Sequence, residues 1–369
     1  MRKINVTHVI SDTNIGGAGR CLLNFLECFD REALDVRVVV PRGALLVPEV
    51  EALGVEAVQV DGIGDRSLNV AAVSALARIF RKTAPDIVHT HAALSARFAA
   101  RLAGAKIVHT RHSAFDQPAH MKAFPRKQLH GLINSWFSDA IISVSPAATA
   151  NLVETGTDPR RITLVYNGVP SPNKLGEADR FRLRAEAGFA PGDFVAAIIA
   201  RLSPEKGHDC LLDAAKILAE TNIKLAVAGT GEREEHLRQR LKRENIGNVT
   251  MLGFVKDVHR LENILDAQVN CSIGAEATSL SLLEGMSLGI PAVVSASGGN
   301  PYVVEHGLSG LVVPPGDPHA LALALRRLQQ DNELYVSLSQ GASDAYNNRF
   351  TAQRMCDETT NIYRKLVKA

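Results

Sequence analysis

Twice along this chain, short apolar runs alternate with amphipathic helical stretches, and one polar break separates the two series. The first series has strand-like runs at Ile4–Ile10, Val36–Val40, Val55–Val60, Asp86–Thr90, Lys106–Thr110, Ala140–Ser143 and Ile162–Val165. Helical stretches at Gly19–Phe29, Val70–Lys82 and Pro146–Glu154 fall between them. The break, Asn167-Gly-Val-Pro-Ser-Pro-Asn-Lys174, combines prolines, a glycine and polar residues. Strand-like runs then return at Phe194–Ala200, Lys224–Ala228, Val249–Leu252, Ala267–Cys271, Ala292–Ser295 and Gly310–Val313. Their helices fit Lys206–Glu220, Glu232–Glu244, Leu282–Leu288 and Pro318–Gln329. Such alternation predicts an α/β protein with parallel sheets covered by helices. Two series predict two doubly wound domains, residues 1–170 and 171–349, and a length of 369 residues suits two cores. Ligands of such sheets sit at the carboxyl ends of the strands, so a cleft between two facing domains is the expected active site.

Bulk composition excludes several classes. The apolar share is 46% and the charged share 22%, as in ordinary globular proteins. No apolar run approaches the ~18 residues of a membrane-spanning helix. The basic start Met1-Arg-Lys reads as the lead into a buried strand rather than a signal peptide. Five scattered cysteines, with no Cys-x-x-Cys, favour reduced thiols and a cytoplasmic setting and argue against a zinc site. Net charge is +2, divided as +5 over residues 1–175 and −3 over the rest. That is too mild for a nucleic-acid binder, and it allows the first domain to approach an anionic partner or membrane surface.

The strand-end loops carry the candidate chemistry. Glu276-Ala-Thr-Ser-Leu-Ser-Leu-Leu-Glu284 leads into an apolar helix stopped by Gly289-Ile-Pro291. One glutamate falls in the loop before that helix and the other about two turns along. A helix start offers free N–H groups to an anion, so a carboxylate beside it has to face something else, such as sugar hydroxyls. The ligand this suggests has a phosphate end and a hydroxyl-rich end. Arg201-Leu-Ser-Pro-Glu205-Lys206-Gly207 sets a guanidinium and an ammonium at another strand end, as a diphosphate requires; equally, Glu205 could simply balance Lys206 on the surface. Gly16-Gly17-Ala-Gly19 follows the first strand, where it suits close approach to an oxyanion or sugar, or a tight turn with no ligand. Its spacing is not that of a dinucleotide fold, and the second strand ends in Pro41-Arg42-Gly43 without the acid that fold requires. His89-Thr90-His91 and His109-Thr110-Arg111-His112 end two successive strands, either as polar residues satisfied within the core or as cleft groups. No carboxylate completes a metal set there, and no Asp-x-Asp occurs, so no catalytic metal is expected. Gly229-Thr-Gly231, Gly253-Phe254-Val255 and Ser297-Gly298-Gly299-Asn300 are weak signals singly and share strand-end positions. Between Arg111 and Phe137, Lys122, Arg126, Lys127, His112, His120 and His130 interleave with Phe115, Phe124, Trp136 and Phe137. This fits a lipid-headgroup surface or a partly buried helix with a solvated basic face.

In this order these motifs resemble the retaining, nucleotide-sugar-dependent glycosyltransferases of the GT-B fold, family 4 or group 1 type. The resemblance spans nearly the whole chain and also takes in Val144-Ser145, Tyr166-Asn167-Gly168-Val169 and Gly310-Leu-Val-Val-Pro-Pro-Gly-Asp317. It implies two Rossmann-like domains facing a central cleft, and a closing helix over about 350–369 that crosses back onto the first. Arg201 and Lys206 would hold the donor diphosphate, helped by backbone N–H groups at Leu280 and Ser281. Glu284 would bind the ribose, and Glu276, with Thr278 and Ser279 beside it, the transferred sugar. Gly229 and Gly231 would line the donor site, and Gly253, Phe254 and Val255 would meet the base. His112 matches the family's histidine at the sugar end. Gly16, Gly17, His91 and Arg111 would lie on the acceptor side. The implied catalytic set is His112, Glu276, Arg201 and Lys206, with no metal and no cofactor beyond the nucleotide-sugar co-substrate.

A retaining glycosidase needs two carboxylates about 5 Å apart. Here one glutamate is assigned to ribose, so the resemblance implies a same-face displacement assisted by the leaving phosphate. The expected reaction moves a sugar from a nucleoside diphosphate, UDP before GDP, to a cell-envelope glycan or lipid-linked acceptor at the inner face of the membrane. The alternatives are a nucleotide-sugar epimerase of similar shape and a non-catalytic nucleotide-sugar-binding protein. One departure stands out: the family commonly has Glu-Gly-Phe-Gly-Leu where this chain has Glu276-Ala277-Thr278-Ser279-Leu280. Both glycines are thus replaced, and the hydroxyls of Thr278 and Ser279 appear beside the sugar position.

Overall fold

The computed structural model describes residues 2–63, 68–114, 117–274 and 276–368; Phe115 lies outside them. Its contacts divide the chain into two compact units, Met1–Val169 with Thr351–Ala369, and Pro170–Phe350.

The first unit holds seven parallel strands: β1 (Ile4–Ile10), β2 (Leu34–Pro41), β3 (Glu56–Val60), β4 (Ile87–His91), β5 (Lys106–Arg111), β6 (Ala140–Ser143) and β7 (Ile162–Leu164). Their order is β3-β2-β1-β4-β5-β6-β7, so the winding reverses between β1 and β4. The second unit holds six: β8 (Phe194–Ile199), β9 (Ile223–Ala228), β10 (Val249–Gly253), β11 (Ala267–Asn270), β12 (Ala292–Ser295) and β13 (Gly310–Val313). Their order, β10-β9-β8-β11-β12-β13, reverses between β8 and β11. Both sheets are doubly wound and parallel, as the alternation predicts. Among the central strands β8, Phe-Val-Ala-Ala-Ile-Ile, reads as a continuous apolar run, as a strand covered on both faces does, while β1, β4 and β11 carry buried polar residues as well. Val6, Val9 and Ile10 of β1, and Val195 and Ala196 of β8, are essentially inaccessible.

Helices at Leu46–Ala52, Leu94–Ala103 and Glu177–Glu186 appear where the sequence pattern predicts none, and the one at Arg126–Trp136 falls in the segment read as either a lipid-headgroup surface or a partly buried helix. The first is a short helix containing Pro48, and the second is alanine-rich, so neither shows a clear apolar stripe. The last helix, Ala352–Lys368, belongs to the first unit and buries Met355, Cys356, Ile362 and Tyr363 in its core. Its start is tied by Ala352 N donating to Val169 O at 3.0 Å. Gly168 permits this: a Cβ there would lie 2.4 Å from Thr351 O. All five cysteines are free thiols.

Candidate functional site

In the second unit the charged residues gather where the winding reverses, past the ends of β8 and β11. The chain leaves β8 through Ala200-Arg201-Leu202-Ser203, makes a single 3-10 turn at Pro204–Lys206 and enters the helix His208–Ile217. Gly207 allows the turn: its φ is +71°, and a Cβ would sit 2.0 Å from Cys271 O. Lys206 is thereby laid over the end of β11, with Nζ 2.5 Å from Glu276 Oε2. Glu276 is buried, and the same oxygen accepts from Ser272 Oγ at 3.2 Å and from Asn270 Nδ2 at 3.5 Å. Asn270 Oδ1 accepts from Ser272 N at 3.2 Å and Asn300 Nδ2 at 3.3 Å, which fixes its orientation. The Glu276 backbone is held by Gly299 N, which donates to Glu276 O at 2.6 Å. A Cβ on Gly298 would lie 2.3 Å from Glu276 O, and one on Gly299 1.8 Å from Ala277 O. The two glycines are therefore needed to seat this carboxylate.

Arg201 does not join Lys206. Its Nη2 donates to Glu205 Oε1 at 3.0 Å, and Ser203 Oγ donates to the same oxygen at 2.6 Å. The balance of Glu205 with Lys206 suggested by sequence adjacency is thus replaced by Glu205 with Arg201. Gly229-Thr230-Gly231 folds against this loop, with Leu202 N donating to Thr230 O at 2.9 Å. A Cβ at Gly229 would lie 2.0 Å from Ala200 O, and one at Gly231 2.4 Å from Leu202 O. Gly253, at φ +66°, ends β10 and turns Phe254 out to solvent while Val255 packs inward.

The helix near Glu284 spans Leu280–Ser287, so Glu284 lies just over one turn in rather than about two. Ser279 occupies the N-cap position without capping; its Oγ lies 3.0 Å from Ser281 Oγ. Ser281 Oγ donates to Ile199 O at 3.2 Å and ties the helix start to the end of β8. Thr278 stands in the turn just before it. Glu284 is part-buried, and its charge acts on two neighbours the sequence reading passed over. Burial pushes the fully enclosed Glu262 up to about 8, and Glu284 adds to this against hydrogen bonds from His259 and Gln268. His259 is held above its ordinary value by its bond to Glu262, with Glu284 contributing. Also passed over were Asn270 and Ser272. Their signal is polar residues closing an apolar strand, and a glutamate inside Leu261-Glu-Asn-Ile-Leu265.

In the first unit the equivalent strand ends carry imidazoles. His91 ends β4, and His112 follows β5. His91 Nδ1 lies 2.8 Å from His112 Nε2, and His91 Nε2 lies 3.0 Å from His8 Nδ1 in β1. Burial pushes His8 down to about 3 and His112 to about 4, and depresses His89, His91 and His109 well below the ordinary value. All five are neutral at pH 7. His8, His89 and His91 are close enough together to resemble a metal cluster. Both nitrogens of His89, however, are committed to Thr110 Oγ1 and Tyr363 Oη at 2.6 and 2.5 Å, and the rings of His89 and His91 stack. Arg111 is tied to Asn151 Oδ1 and Ser113 O, both at 3.1 Å. Gly16 and Gly17 open the helix Gly17–Cys28, and a Cβ on either meets nothing within 4 Å. Local packing does not demand these glycines.

The basic, aromatic segment folds as a helix with its polarity inverted. In Arg126–Trp136, Gly131 and Asn134 face inward: a Cβ on Gly131 would lie 2.1 Å from Gly156 O, and Asn134 Nδ2 donates to Thr157 Oγ1 at 2.8 Å. Leu129, Leu132 and Trp136 face out, the last 72% exposed, with Phe124 exposed just before the helix. The solvated face is therefore largely apolar rather than basic.

Comparison with known proteins agrees with this architecture. Residues 15–171 match the model of Glycosyltransferase Family 4, and residues 179–344 that of Glycosyl transferases group 1. The chain is 29% identical over 314 residues to the Bacillus subtilis protein EpsD, named as a glycosyltransferase, with 80% of each chain covered. Identity is 24% over 392 aligned residues to the Escherichia coli UDP-Gal:alpha-D-GlcNAc-diphosphoundecaprenol alpha-1,3-galactosyltransferase, covering 99% of this chain and 98% of that one. The crystal structure of HepE from Anabaena, bound to UDP and glucose, superposes with a TM-score of 0.85 at 20% identity, covering 98% of this chain and all of the other. The chain belongs to the group 1, family 4 type of glycosyltransferases, and its fold is GT-B. It is accordingly a sugar-transferring enzyme. Among the described residues no helix is long and apolar enough to cross a membrane.

Proposed function

We propose that the protein moves a sugar from a nucleoside diphosphate, UDP in preference to GDP, with retention at the anomeric carbon, onto a lipid-linked or glycan acceptor of the cell envelope. The observation that carries this is the Lys206–Glu276 contact at the reversal of the second sheet. A cation and a buried, hydrogen-bonded carboxylate on one spot suit a ligand with phosphate charge at one end and hydroxyls at the other. On this reading Lys206 and Arg201 hold the diphosphate and stabilise the charge that grows on it as it leaves. The N–H groups of Leu280 and Ser281 add to that site. Glu284 binds the ribose, Glu276 with Thr278 and Ser279 the transferred sugar, and Gly253–Val255 the base. On the first unit, His112 serves the sugar, and Gly16, Gly17, His91 and Arg111 the acceptor.

Two relatives support the finer choices. HepE is bound to UDP and glucose, and the Escherichia coli relative is named for a UDP-Gal donor and a diphosphoundecaprenol acceptor. A lipid-linked acceptor also gives a use to the outward face of Leu129, Leu132 and Trp136, flanked by Arg126 and Lys127: docking on an anionic bilayer. Side-chain cations take the place of a divalent metal on this reading, so transfer should persist in EDTA.

The test is a thermal-shift panel of UDP- and GDP-sugars, followed by transfer or slow hydrolysis of the donor that stabilises most. A UDP-sugar should raise the melting temperature above its GDP counterpart. No shift with any donor, or unchanged turnover in a folded Lys206→Ala variant, would sink the reading. An epimerised nucleotide sugar formed without acceptor would replace transferase by epimerase.

A further inference from the structure

Six side chains of the first unit form one hydrogen-bonded file. Thr110 Oγ1 lies 2.6 Å from His89 Nε2, and His89 Nδ1 lies 2.5 Å from Tyr363 Oη. Tyr363 Oη is 3.4 Å from His8 Nε2. His8 Nδ1 is 3.0 Å from His91 Nε2, and His91 Nδ1 is 2.8 Å from His112 Nε2. Thr110, His89, Tyr363, His8 and His91 are all buried. The file ends at His112 Nδ1, which is covered and has no partner among the described residues.

Every link needs one hydrogen and one lone pair, and each neutral imidazole supplies one of each. Burial keeps all four imidazoles neutral, as the file requires. Three arrangements then satisfy all five links, because the Tyr363 oxygen can accept from His89 and His8 together. That one strands two groups, the tyrosine hydrogen and the His112 Nδ1 lone pair, and two arrangements remain in which Tyr363 also donates. In the first of these, all four histidines carry their hydrogen on Nε2; His89 donates to Thr110, and His112 Nδ1 is left as a lone pair. The Thr110 hydroxyl hydrogen then has no acceptor among the described residues, where His89 is its one partner. In the other, Thr110 donates to His89, all four histidines carry their hydrogen on Nδ1, and only the Nδ1 hydrogen of His112 is left over. The first arrangement strands two buried groups and the second strands one. The two links of His89 are too alike in length to choose between the arrangements, so the count of stranded groups decides.

We propose that Thr110 and Tyr363 are positioning residues that hold His112 in its Nδ1–H form, so that it meets a substrate oxygen as a hydrogen-bond donor and not as a base. The assignment of that oxygen to the transferred sugar rests on the transferase reading above; the tautomer does not. An incoming oxygen has to displace what now covers Nδ1, and it satisfies the one stranded hydrogen of the file. Along the file Thr110 stands five links and Tyr363 three links from His112, so neither touches its Nδ1.

The test is long-range proton–nitrogen NMR of the full chain carrying nitrogen-15 histidine. His8, His89, His91 and His112 should each show a hydrogen on Nδ1 and a bare Nε2. Thr110→Val makes the two arrangements equal in stranded groups, so the four residues should shift together to a mixture. Thr110→Ser should restore the single form. Tyr363→Phe should free His8, His91 and His112 while His89 keeps its bond to Thr110. The proposal is overturned if His112 carries its hydrogen on Nε2 in the native protein, or if Thr110→Val leaves all four unchanged in a folded chain. Tight one-to-one Zn²⁺ binding that erases these signals would also overturn it, by turning the file into a metal site. These readouts need no donor or acceptor, so failure of the transferase reading leaves them decisive. If both hold, Thr110→Val should lower the transfer rate with little change in donor KM, and Thr110→Ser should recover it.

Discussion

The two sheets share a winding order and a reversal point, yet they place opposite chemistry there. At the β1/β4 reversal the first unit packs neutral imidazoles against one another. At the β8/β11 reversal the second unit keeps ions, Lys206 with Glu276 and Arg201 with Glu205. The difference lies in the partners: enclosed imidazoles without an opposite charge are neutral, while Lys206, Glu276, Arg201 and Glu205 in the second unit each face a group of opposite sign. The fold supplies the place, and the neighbours decide whether it handles phosphate charge or hydroxyl hydrogen bonds.

The largest effect is expected from removing the cation of the second unit. Lys206→Ala should lower kcat by about 10²–10³-fold, the usual cost of losing one group that stabilises developing charge. Glu276 would then lie buried with only Ser272 and Asn270 as partners, so the melting temperature should fall as well. If turnover holds and stability alone drops, the pair is structural and the contrast between the two reversals loses its functional meaning.

The second prediction uses pH, because the two units respond with opposite sign. His8 has an ordinary value of 6.5 and a folded value of about 3. Below pH 6.5 the unfolded chain therefore binds more protons, and folding stability falls as pH falls. At pH 4.5 this one imidazole should remove about 3 kcal/mol from the first unit. Glu262 runs the other way. Its folded value of about 8 lies above the ordinary 4.5, so its burial costs stability as pH rises from 4.5 toward 8 and costs nothing below. Calorimetry with hydrogen exchange should show the first unit opening on acidification to pH 4.5. Glu262→Gln should raise the stability of the second unit by roughly 4 kcal/mol at pH 8 and hardly at all at pH 4.5. A first unit equally stable at pH 7 and 4.5 would mean that its histidines are not neutral in the fold.

A smaller effect separates the two glutamates. Glu284→Ala should raise the KM for the donor by roughly 10-fold, the range for losing a charged hydrogen bond. Donors lacking a ribose hydroxyl should show the loss already in the parent protein. Equal sensitivity of the variant and the parent to that deletion would remove Glu284 from the ribose.

These contrasts were unevenly legible in the sequence. The thirteen strands among the described residues all fall where apolar-rich runs predict them, because sheet strands that helices cover are dominated by apolar residues even where a histidine or threonine interrupts them. Lys206 and Glu276 each stood out as strand-end charges, but their contact spans 70 positions and depends on β8 lying beside β11. No local pattern encodes that adjacency. His89, His91 and His112 were visible as clusters at strand ends. His8 was not, since it sits in mid-strand and meets them only through the register that sets it opposite His89. Tyr363 joins from the far end of the chain. For Arg126–Trp136 a helix is one of the two sequence readings, but its outer face is expected to be basic, because periodicity assumes that the apolar stripe faces inward, and here it faces out.

That inverted helix gives the smallest predicted effect and extends the comparison to the surfaces of the two units. Leu129, Leu132 and Trp136 stand at i, i+3 and i+7, so they share one face, and that face is the solvent-exposed one. A stripe of this kind costs solubility unless something apolar covers it. Tryptophan favours the boundary between lipid headgroups and acyl chains, and Arg126 and Lys127 beside it favour anionic lipid. Trp136→Ala should therefore reduce binding to phosphatidylglycerol vesicles by roughly threefold to tenfold, with Leu132→Ala adding to it. Donor hydrolysis in solution should not change, because none of the residues assigned to the nucleotide-sugar lies on the helix Arg126–Trp136. Transfer to a lipid-linked acceptor in vesicles should fall with binding, while transfer to a water-soluble analogue of it should not. If both fall together, the helix acts on the acceptor itself. If neither falls and the vesicles bind nothing, the stripe is covered by a protein, and the acceptor has to reach this enzyme without a bilayer to present it.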